Sequence, residues 1–496
     1  MVNETRPRLG RGALGRLPQA VAQPAYDRAT VRAGIVHLGI GAFHRAHQAV
    51  YIDDCLAAAP EWGIIGASLR SPTTRDALQT QDWLYTLSIR SGEGERLRVV
   101  GSILDVLVAT EQRERLLTSM ADPRIRIVSL TVTEKGYHHD PATGELNEAD
   151  ADVRQDLATP TAPRTAPGLI VEALARRRAA GVAPFTVLTC DNLPSNGSVV
   201  KRILTRFAEL RDADLGAFVA GEVACPSTMV DRITPATTDE DRARVDAALG
   251  CADAWPVVTE PFTQWVVEDH FPGGRPAFEA AGAELVADVA PYEQMKLRLL
   301  NGAHSSLSYL GYLAGYPFVS DVMADTSFAR FVAALMDEAI PTLRVPASMD
   351  LVGYKAALLT RFRNPALKHK TWQICMDGSQ KLPQRLLGTI RENLAARRPF
   401  GRLALGVAGW MRYVTGIDET GKPIDVRDPL AAELRALADA AGPSAERLVR
   451  GLLGVEKIFG SDLAGHARFV AAVTERLARL FTHGAKRAVA MEEGIV

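Results

Sequence analysis

The segment from Pro291 to Tyr312, PYEQMKLRLLNGAHSSLSYLGY, carries residue types that suit proton transfer to and from an alcohol. Its periodicity predicts a helix with Pro291 in the first turn. At about 100° per residue, Asn301 lies about 140° around the helix axis from Lys296, and His304 lies about 80° from it. The three side chains share one wide face of the predicted helix, broad enough to line a cleft.

Oxidation of an alcohol needs a base for the hydroxyl proton while a hydride leaves the same carbon. Removal from water weakens the preference of a lysine for its charged form, so Lys296 is a candidate for this base. Asn301 offers an N–H donor to the developing alkoxide. Gly302 costs about 1 kcal/mol relative to Ala, which indicates a close approach of backbone or ligand, or a plain kink. Alone, such a lysine is usually a solvated charge and such a histidine a core residue.

The same segment contains Tyr292-x-x-x-Lys296, the spacing found around the tyrosine acid/base of short-chain dehydrogenases. In this alternative Tyr292 is the acid/base. The chain is much longer than those enzymes, and the motif lies in a helical region rather than beside the predicted sheet. We therefore favour Lys296 as the base.

A second group of candidate residues lies in AGIVHLGIGAFHRA, residues 33–46. A buried strand, a Gly39-x-Gly41 turn and a helix start predict a cradle for a dinucleotide pyrophosphate. Backbone N–H groups and the helix N-terminus favour the anion there. His44 occupies the position of the third glycine in the usual fingerprint, and Arg45 either contacts a phosphate or lies on a solvated helix face.

The predicted second strand (62–69) ends where the cofactor ribose is normally bound by an acid. Here the sequence is SLRSPTTR, and the first carboxylate is Asp76. A basic, hydroxyl-rich stretch suits a 2′-phosphate at least as well as a free hydroxyl, so NADP remains an alternative to NAD. The predicted cofactor-binding residues are Gly39, Gly41, Ala42, Phe43, His44, Arg45 and Arg70.

The elements that must position these residues change character along the chain. Strands alternate with helices up to about residue 285, as expected for an α/β fold with a doubly wound, mostly parallel sheet. From about residue 292 onward the periodicity is helical. We predict a Rossmann-type domain over 1–288 and a mainly α-helical domain over 289–496, with the stretch 137–165 as a surface excursion.

Composition excludes several classes of protein. Lys plus Arg total 57 and Asp plus Glu 58, which gives no field for nucleic acid or an anionic membrane. The five cysteines form no CxxC pair, so a disulfide framework and a structural zinc are not expected. The chain starts without an apolar signal region and contains no long apolar run. These features predict a protein of a reducing compartment, the cytoplasm, that acts on a small solute or a protein partner.

Several runs of this sequence resemble the polyol-specific long-chain dehydrogenases, the mannitol dehydrogenase family. They are IVHLGIGAFHRAHQA (35–49), IVSLTVTEKGY (127–137), FTVLTCDNLPSNG (185–197), MVDRITP (229–235), EPFTQWVVEDHF (260–271), KLRLLNGAHS (296–305), DGSQKLPQRLL (377–387) and ALGVAGWMRY (404–413). The resemblance covers nearly the whole chain. It implies a Rossmann-type domain, a helical domain, an active site between them, no metal, and a monomer.

The resemblance also implies roles for individual residues. Lys296 is the general acid/base, Asn192 and Asn301 polarise the substrate oxygen, and His304 holds the substrate. Glu134 matches a residue associated with proton or water passage near the lysine. These five residues are the predicted catalytic set.

One departure bears on the substrate. Mannitol-oxidising members carry an arginine eight residues before the lysine of DGSxK, and this chain has Gln373 there. The surrounding sequence is closer to the fructuronate-reducing branch, which implies reversible reduction of D-fructuronate to D-mannonate. Lys381 and Arg385 are then expected to bind the substrate carboxylate, unless they form a basic surface patch. The alternatives are oxidation of neutral mannitol or arabinitol, and a nucleotide-binding redox sensor without turnover.

Overall fold

The computed structural model describes residues 6–140, 143–347 and 349–496. The chain forms two compact units, Met1–Ala290 and Pro291–Val496. The boundary predicted from the sequence, 288/289, differs from this division by two residues. The first unit is α/β and the second is helical, which confirms the predicted fold class.

The first unit contains three sheets. Its central sheet has the order β5-β2-β1-β6-β7 with every neighbouring pair parallel. Two three-stranded sheets have the orders β11-β10-β8 and β4-β3-β9. The strands are β1 (Ala33–Leu38), β2 (Gly63–Ser68), β3 (Tyr85–Ser91), β4 (Gly94–Val100), β5 (Ile103–Val108), β6 (Ile127–Leu130), β7 (Thr186–Thr189), β8 (Thr228–Asp231), β9 (Val257–Thr259), β10 (Gln264–Glu268) and β11 (Glu284–Val286).

Helices of the first unit cover the central sheet, because its apolar strands are buried on both faces. The strand order reverses direction between β1 and β6. In open α/β sheets the ligand crevice lies at the carboxyl ends of the strands at such a switch point. The helices are α1 (Ala42–Ala46), α2 (Gln48–Cys55), α3 (Thr73–Gln79), α4 (Ala109–Ala121), α5 (Ala151–Ala158), α6 (Ala166–Ala179), α7 (Asn196–Arg211), α8 (Ala213–Glu222) and α9 (Asp239–Leu249).

Two sequence predictions for this unit need correction. The alternating stretch 96–103, RLRVVGSI, is typical of one strand in the sequence, but it contributes to two sheets, because the chain turns at Gly101, whose N–H is held by the Asp53 carboxylate at 2.8 Å. The predicted surface excursion 137–165 contains α5, which begins at its N-cap Asp150 and buries Val153. Pro141 and Ala142 of this excursion lie outside the described residues.

The second unit is a bundle around α11 and α18. Glycines on α18 let the two helices approach closely: a Cβ at Gly406 would lie 2.3 Å from Ser306 Oγ, and one at Gly409 would lie 2.9 Å from Leu310 Cδ2. The helices are α10 (Ala290–Met295), α11 (Gly302–Leu313), α12 (Val319–Ala324), α13 (Thr326–Ala339), α14 (Leu351–Phe362), α15 (Thr371–Ile374), α16 (Gly378–Leu382), α17 (Gly388–Ala395), α18 (Gly401–Tyr413), α19 (Ala431–Ala441), α20 (Ala445–Leu453), α21 (Glu456–Ala464) and α22 (Ala467–Glu492).

Two turns of π-helix interrupt this bundle, at Lys296–Asn301 between α10 and α11 and at Pro383–Leu387 between α16 and α17. Throughout the described ranges, no helix is long and apolar enough to cross a membrane, in agreement with the sequence prediction.

Candidate active site

Lys296 and Asn301 are the first and last residues of the first π segment. The α-helical estimate of their separation, about 140°, was wrong because π-helix hydrogen bonds join residues five apart. Each turn therefore takes more residues than an α turn, and residues five apart lie nearer to the same side. Lys296 is only 7% exposed, so it is not the solvated charge that an isolated helical lysine usually is. Wide turns of this kind occur frequently at functional sites.

Gly302 allows the second π segment to approach the first. A Cβ at Gly302 would lie 2.8 Å from the backbone oxygen of Arg385, a distance that real Cβ atoms essentially never show. This confirms the predicted close approach of backbone at Gly302. The two π segments thus place Lys296 and Arg385 on neighbouring turns of the same unit.

We expect a Gly302→Ala variant to lose about tenfold or more in kcat, because the added methyl forces the two π segments apart and displaces Lys296, the predicted proton-transfer group. Alanine itself favours helix, so the loss would not reflect poor helix formation. The matched control is Gly451→Ala in α20, where a Cβ meets nothing closer than 3.8 Å. Steady-state kinetics and thermal melting of both variants check this; an unchanged kcat in Gly302→Ala would contradict it.

His304 is buried in α11 and stacks on other rings. Its ring centroid lies 5.0 Å from that of Phe362, nearly parallel, and 5.0 Å from that of His369, edge-on. Its Nε2 is buried without a hydrogen-bond partner among the described residues. Burial, followed by the nearby side chains of His369, Arg385, Arg361 and Lys381, lowers the pKa of His304 well below its usual range. A neutral imidazole with an unused nitrogen suits contact with a substrate hydroxyl.

The cationic groups around His304 have defined partners. Arg385 donates from Nη1 to Ser305 Oγ at 3.0 Å, and Lys381 donates from Nζ to the Met376 oxygen at 2.5 Å. Arg361, which is only 8% exposed, is the third cationic residue near His304. Lys381 and Arg385 are both half-buried.

The positions of three further residues, Gln373, Arg361 and His369, bear on the sequence predictions for this unit. Gln373 is exposed on the short helix α15. Arg361 and His369 were missed from the sequence, because neither stands within a motif. Burial lowers the pKa of His369 to about 4, so its imidazole is also neutral near pH 7.

In the first unit, the predicted glycine turn follows β1 directly. Gly39 has φ 96°, and a Cβ there would lie 2.1 Å from the Thr131 oxygen, so only glycine fits where β1 and β6 end. Gly41 is the N-cap of α1, and the atom nearest to its missing Cβ is the Gly39 oxygen at 3.8 Å. This open backbone, with Ala42 and Phe43 beside it, leaves room for a pyrophosphate.

His44 supports this turn from the interior of the unit. Its ring stacks on that of His37 with centroids 3.4 Å apart. His37 bonds through Nδ1 to Ser129 Oγ at 2.8 Å and through Nε2 to Thr131 Oγ1 at 2.9 Å. Burial lowers the pKa of His37 to about 3 and that of His44 well below its usual range, so both rings are neutral. The side chain at the third-glycine position therefore packs under the turn.

The prediction for the Arg45 side chain needs correction. Arg45 is buried, donates from Nη1 to the Trp255 oxygen at 2.5 Å, and lies over the Tyr85 ring. It is neither on a solvated face nor free to reach a phosphate, since its guanidinium points into the unit.

Arg70 lies just beyond β2, and its side chain is 82% exposed, with Asp152 at 3.6 Å. Asp152 also belongs to a cluster with His138 and Asp150 whose ligand atoms lie within 4.8 Å of one another. Capping and pairing explain this cluster: Asp150 caps α5 and binds His138 Nδ1 at 3.1 Å. Arg70 therefore remains available to a cofactor at the carboxyl edge of the sheet.

Glu134 and Asn192 follow the neighbouring strands β6 and β7, and both are exposed. Glu134 begins a short 3-10 helix, and the residue before it, Thr133, has φ 64° and ψ 166°. This region of backbone space is essentially reserved for glycine and costs about 1–3 kcal/mol for other residues. Sequence reasoning missed Thr133, because nothing in its residue type indicates this conformation.

Comparisons with known proteins identify the relatives of this chain. Residues 33–280 match the mannitol dehydrogenase Rossmann domain, and residues 288–481 match the mannitol dehydrogenase C-terminal domain. The chain is 48% identical to the uncharacterized oxidoreductase YeiQ of Escherichia coli over 95% of this chain and 97% of that protein. It is 46% identical to the D-mannonate oxidoreductase of Escherichia coli over 95% and 98%.

Among solved structures, the Pseudomonas fluorescens mannitol 2-dehydrogenase in ternary complex with NAD and D-mannitol superposes with a TM-score of 0.90. It is 41% identical, and the match covers 98% of this chain and 99% of that one. Both domain models and the extent of these alignments lead to the same assignment. The chain belongs to the mannitol dehydrogenase family of oxidoreductases.

Proposed function

We propose that this protein is a NAD-dependent oxidoreductase that interconverts D-fructuronate and D-mannonate. In the reductive direction a hydride reaches C2 of the keto acid and one proton reaches the C2 oxygen. The observation that carries this proposal is the cationic surrounding of His304, formed by Arg361, Lys381 and Arg385. Such a surrounding favours a substrate that bears a carboxylate, because charge-assisted hydrogen bonds to it are strong.

The chain's own residues take the following roles in the proposal. Lys296 donates the proton to the C2 oxygen during reduction and takes it back during oxidation. Asn192 and Asn301 donate amide N–H groups to the same oxygen as negative charge develops on it. Glu134 passes the proton between Lys296 and solvent. The neutral His304 binds a substrate hydroxyl through its unpaired Nε2.

The open backbone at Gly39 and Gly41 fits the pyrophosphate of the cofactor. When bound, the nicotinamide ring supplies or accepts the hydride. The complex of mannitol 2-dehydrogenase with NAD supports NAD as the cofactor here. Arg70 is exposed, and no acid directly follows β2. Activity is therefore to be compared between NAD and NADP.

A second candidate is oxidation of a neutral polyol. The specific observation in its favour is the TM-score of 0.90 with mannitol 2-dehydrogenase, whose complex contains D-mannitol. This candidate leaves the cationic groups around His304 without a substrate charge to bind. We therefore rank it below the sugar acid.

An activity panel followed at 340 nm tests the choice. We expect NADH oxidation with D-fructuronate, and NAD reduction with D-mannonate, to exceed the rates with neutral ketoses and polyols by at least about tenfold in kcat/KM. Tenfold corresponds to about 1.4 kcal/mol, close to the lower end of the range for one hydrogen bond to a charged group. Each substrate is measured with both cofactors. Efficient oxidation of mannitol or arabinitol without oxidation of D-mannonate would overturn the proposed substrate.

A further inference from the structure

Asp191 lies at the carboxyl end of β7, between the strand and Asn192, and its carboxylate reaches across to the neighbouring strand end. It accepts hydrogen bonds from the backbone N–H of Val132 at 2.9 Å and of Thr133 at 3.0 Å. It also accepts one from the hydroxyl of Tyr137 at 2.7 Å. A single half-buried carboxylate therefore ties the segment after β6 to the end of β7.

The segment that Asp191 holds is strained. Thr133 is β-branched, and its φ of 64° with ψ of 166° is a conformation that such residues adopt only where the surroundings enforce it. The two N–H groups bound by Asp191 belong to Thr133 and the residue before it, so the carboxylate acts directly on the strained peptide. Strain of this kind clusters at functional sites, where it fixes a geometry that the chain would otherwise leave.

Tyr137 makes the second contact with the β7 segment, at the C-terminal end of the 3-10 helix. It is fully buried, and its hydroxyl lies 2.5 Å from Thr189 Oγ1 as well as against Asp191. Leu130 and Thr189 are register partners in the parallel pair β6–β7. The 3-10 helix that begins at Glu134 is therefore fixed to β7 at both of its ends.

We propose that Asp191 is a positioning residue that holds Glu134 and Asn192 in a fixed mutual geometry through the strained peptide of Thr133. Glu134 follows Thr133 directly, and Asn192 follows Asp191 directly, so one carboxylate sets both. This inference rests on the proposed function, in which Glu134 passes the proton and Asn192 polarises the substrate oxygen. Asp191 itself acts only through them.

The experiment combines Asp191→Asn with Thr133→Gly in the full-length protein. Asparagine keeps the shape of the side chain but replaces one of the two acceptor oxygens by an NH2 donor, so one of the two backbone N–H groups loses its acceptor. We expect Asp191→Asn to lower kcat by about tenfold to thirtyfold and to lower Tm. The Kd for NADH, measured by fluorescence quenching, should stay within about twofold, because the glycine turn keeps its own contacts.

Thr133→Gly separates positioning from stability. Glycine adopts the conformation of residue 133 without steric cost, so the double variant should recover most of the Tm lost in Asp191→Asn. Its kcat should stay low, because the relaxed peptide no longer fixes Glu134. Recovery of kcat together with Tm would overturn the inference, and so would an Asp191→Asn variant with kcat within twofold of the parent.

Tyr137→Phe keeps the test decisive if Asp191→Asn does not fold. It removes one of the three hydrogen bonds to Asp191, and we expect a threefold to tenfold loss of kcat, at the scale of one hydrogen bond. An unchanged kcat would overturn the inference.

The variants Asn192→Ala and Glu134→Gln test the proposed function separately from this inference. Loss of kcat in both, without loss in Asp191→Asn, would overturn the inference alone. Full activity in both would overturn the proposed roles, and the inference with them.

Discussion

In a Lys296→Met variant, kcat at neutral pH is expected to fall by about 10²–10⁴-fold, the contribution that a positioned general acid/base usually makes. Methionine keeps an unbranched side chain of similar length in this buried position, so the π segment that carries it should persist. The Kd for NADH should change little, because the glycine turn lies on another part of the chain. Stopped-flow measurement of hydride transfer, with NADH binding followed in parallel, checks both expectations.

Two variants accompany this test. Lys355→Met removes a lysine of α14 whose Nζ donates a hydrogen bond to Asp337 Oδ1 of α13 at 2.6 Å, and it should leave kcat unchanged. Tyr292→Phe addresses the alternative in which the tyrosine of Tyr292-x-x-x-Lys296 is the acid/base, and it should retain activity. Full activity in Lys296→Met would remove the proposed mechanism. Loss of activity in Tyr292→Phe with retention in Lys296→Met would move the proton-transfer role to the tyrosine.

The first part of the chain shows why local motifs predicted the fold well. The strand before Gly39 and the glycine turn are properties of consecutive residues, so periodicity and residue type sufficed to place β1 and the cradle. The same holds for the change from strands to helices near residue 290. Such features depend on short stretches of sequence and hardly on what packs against them.

Side-chain roles that depend on distant partners were harder to predict. Arg45 stands next to the glycine turn in sequence, yet its guanidinium binds the backbone of Trp255, which is 210 residues away. Likewise, nothing local to Asp191 indicates that it holds the peptide of Thr133. Their surroundings are set by strand order, and strand order is a property of the whole sheet.

The helical unit shows a third kind of limit. The spacing of Lys296, Asn301 and His304 was correct as a sequence pattern, but its conversion into angles assumed a regular α-helix. The π turn at Lys296–Asn301 is followed directly by Gly302, which packs against the backbone of Arg385, 83 residues further along. A glycine within an apolar helix was the one local signal of that contact.

In an Arg385→Gln variant, kcat/KM for D-mannonate and D-fructuronate is expected to fall by about 10²–10³-fold. Loss of one partner from a buried, hydrogen-bonded charge pair typically costs 2–5 kcal/mol. Glutamine still reaches toward Ser305, which Arg385 contacts at 3.0 Å, so the second π segment should keep its place. Activity toward a neutral polyol, where detectable, should change little, because no carboxylate is bound there.

The loss would come from the missing charge and not from a change in the ionisation of His304. Burial is the largest cause of the lowered pKa of His304, and Arg385 is one of several cations that add to it. With Arg385 removed, that pKa rises, but the remaining burial and the charges of Arg361 and Lys381 still favour the neutral ring. The pH profile of kcat/KM near neutrality should therefore keep its shape while its height falls.

A matched control and a contrary result complete the test. Arg330→Gln removes the same charge from an exposed position on α13 and should leave both substrates unaffected. Equal losses toward sugar acid and neutral polyol in Arg385→Gln would show that the arginine acts on the π segments and not on a carboxylate. A loss confined to the sugar acid would show that the cations around His304 bind the charged group of the substrate. Sequence motifs shared across the family do not distinguish charged substrates from neutral ones.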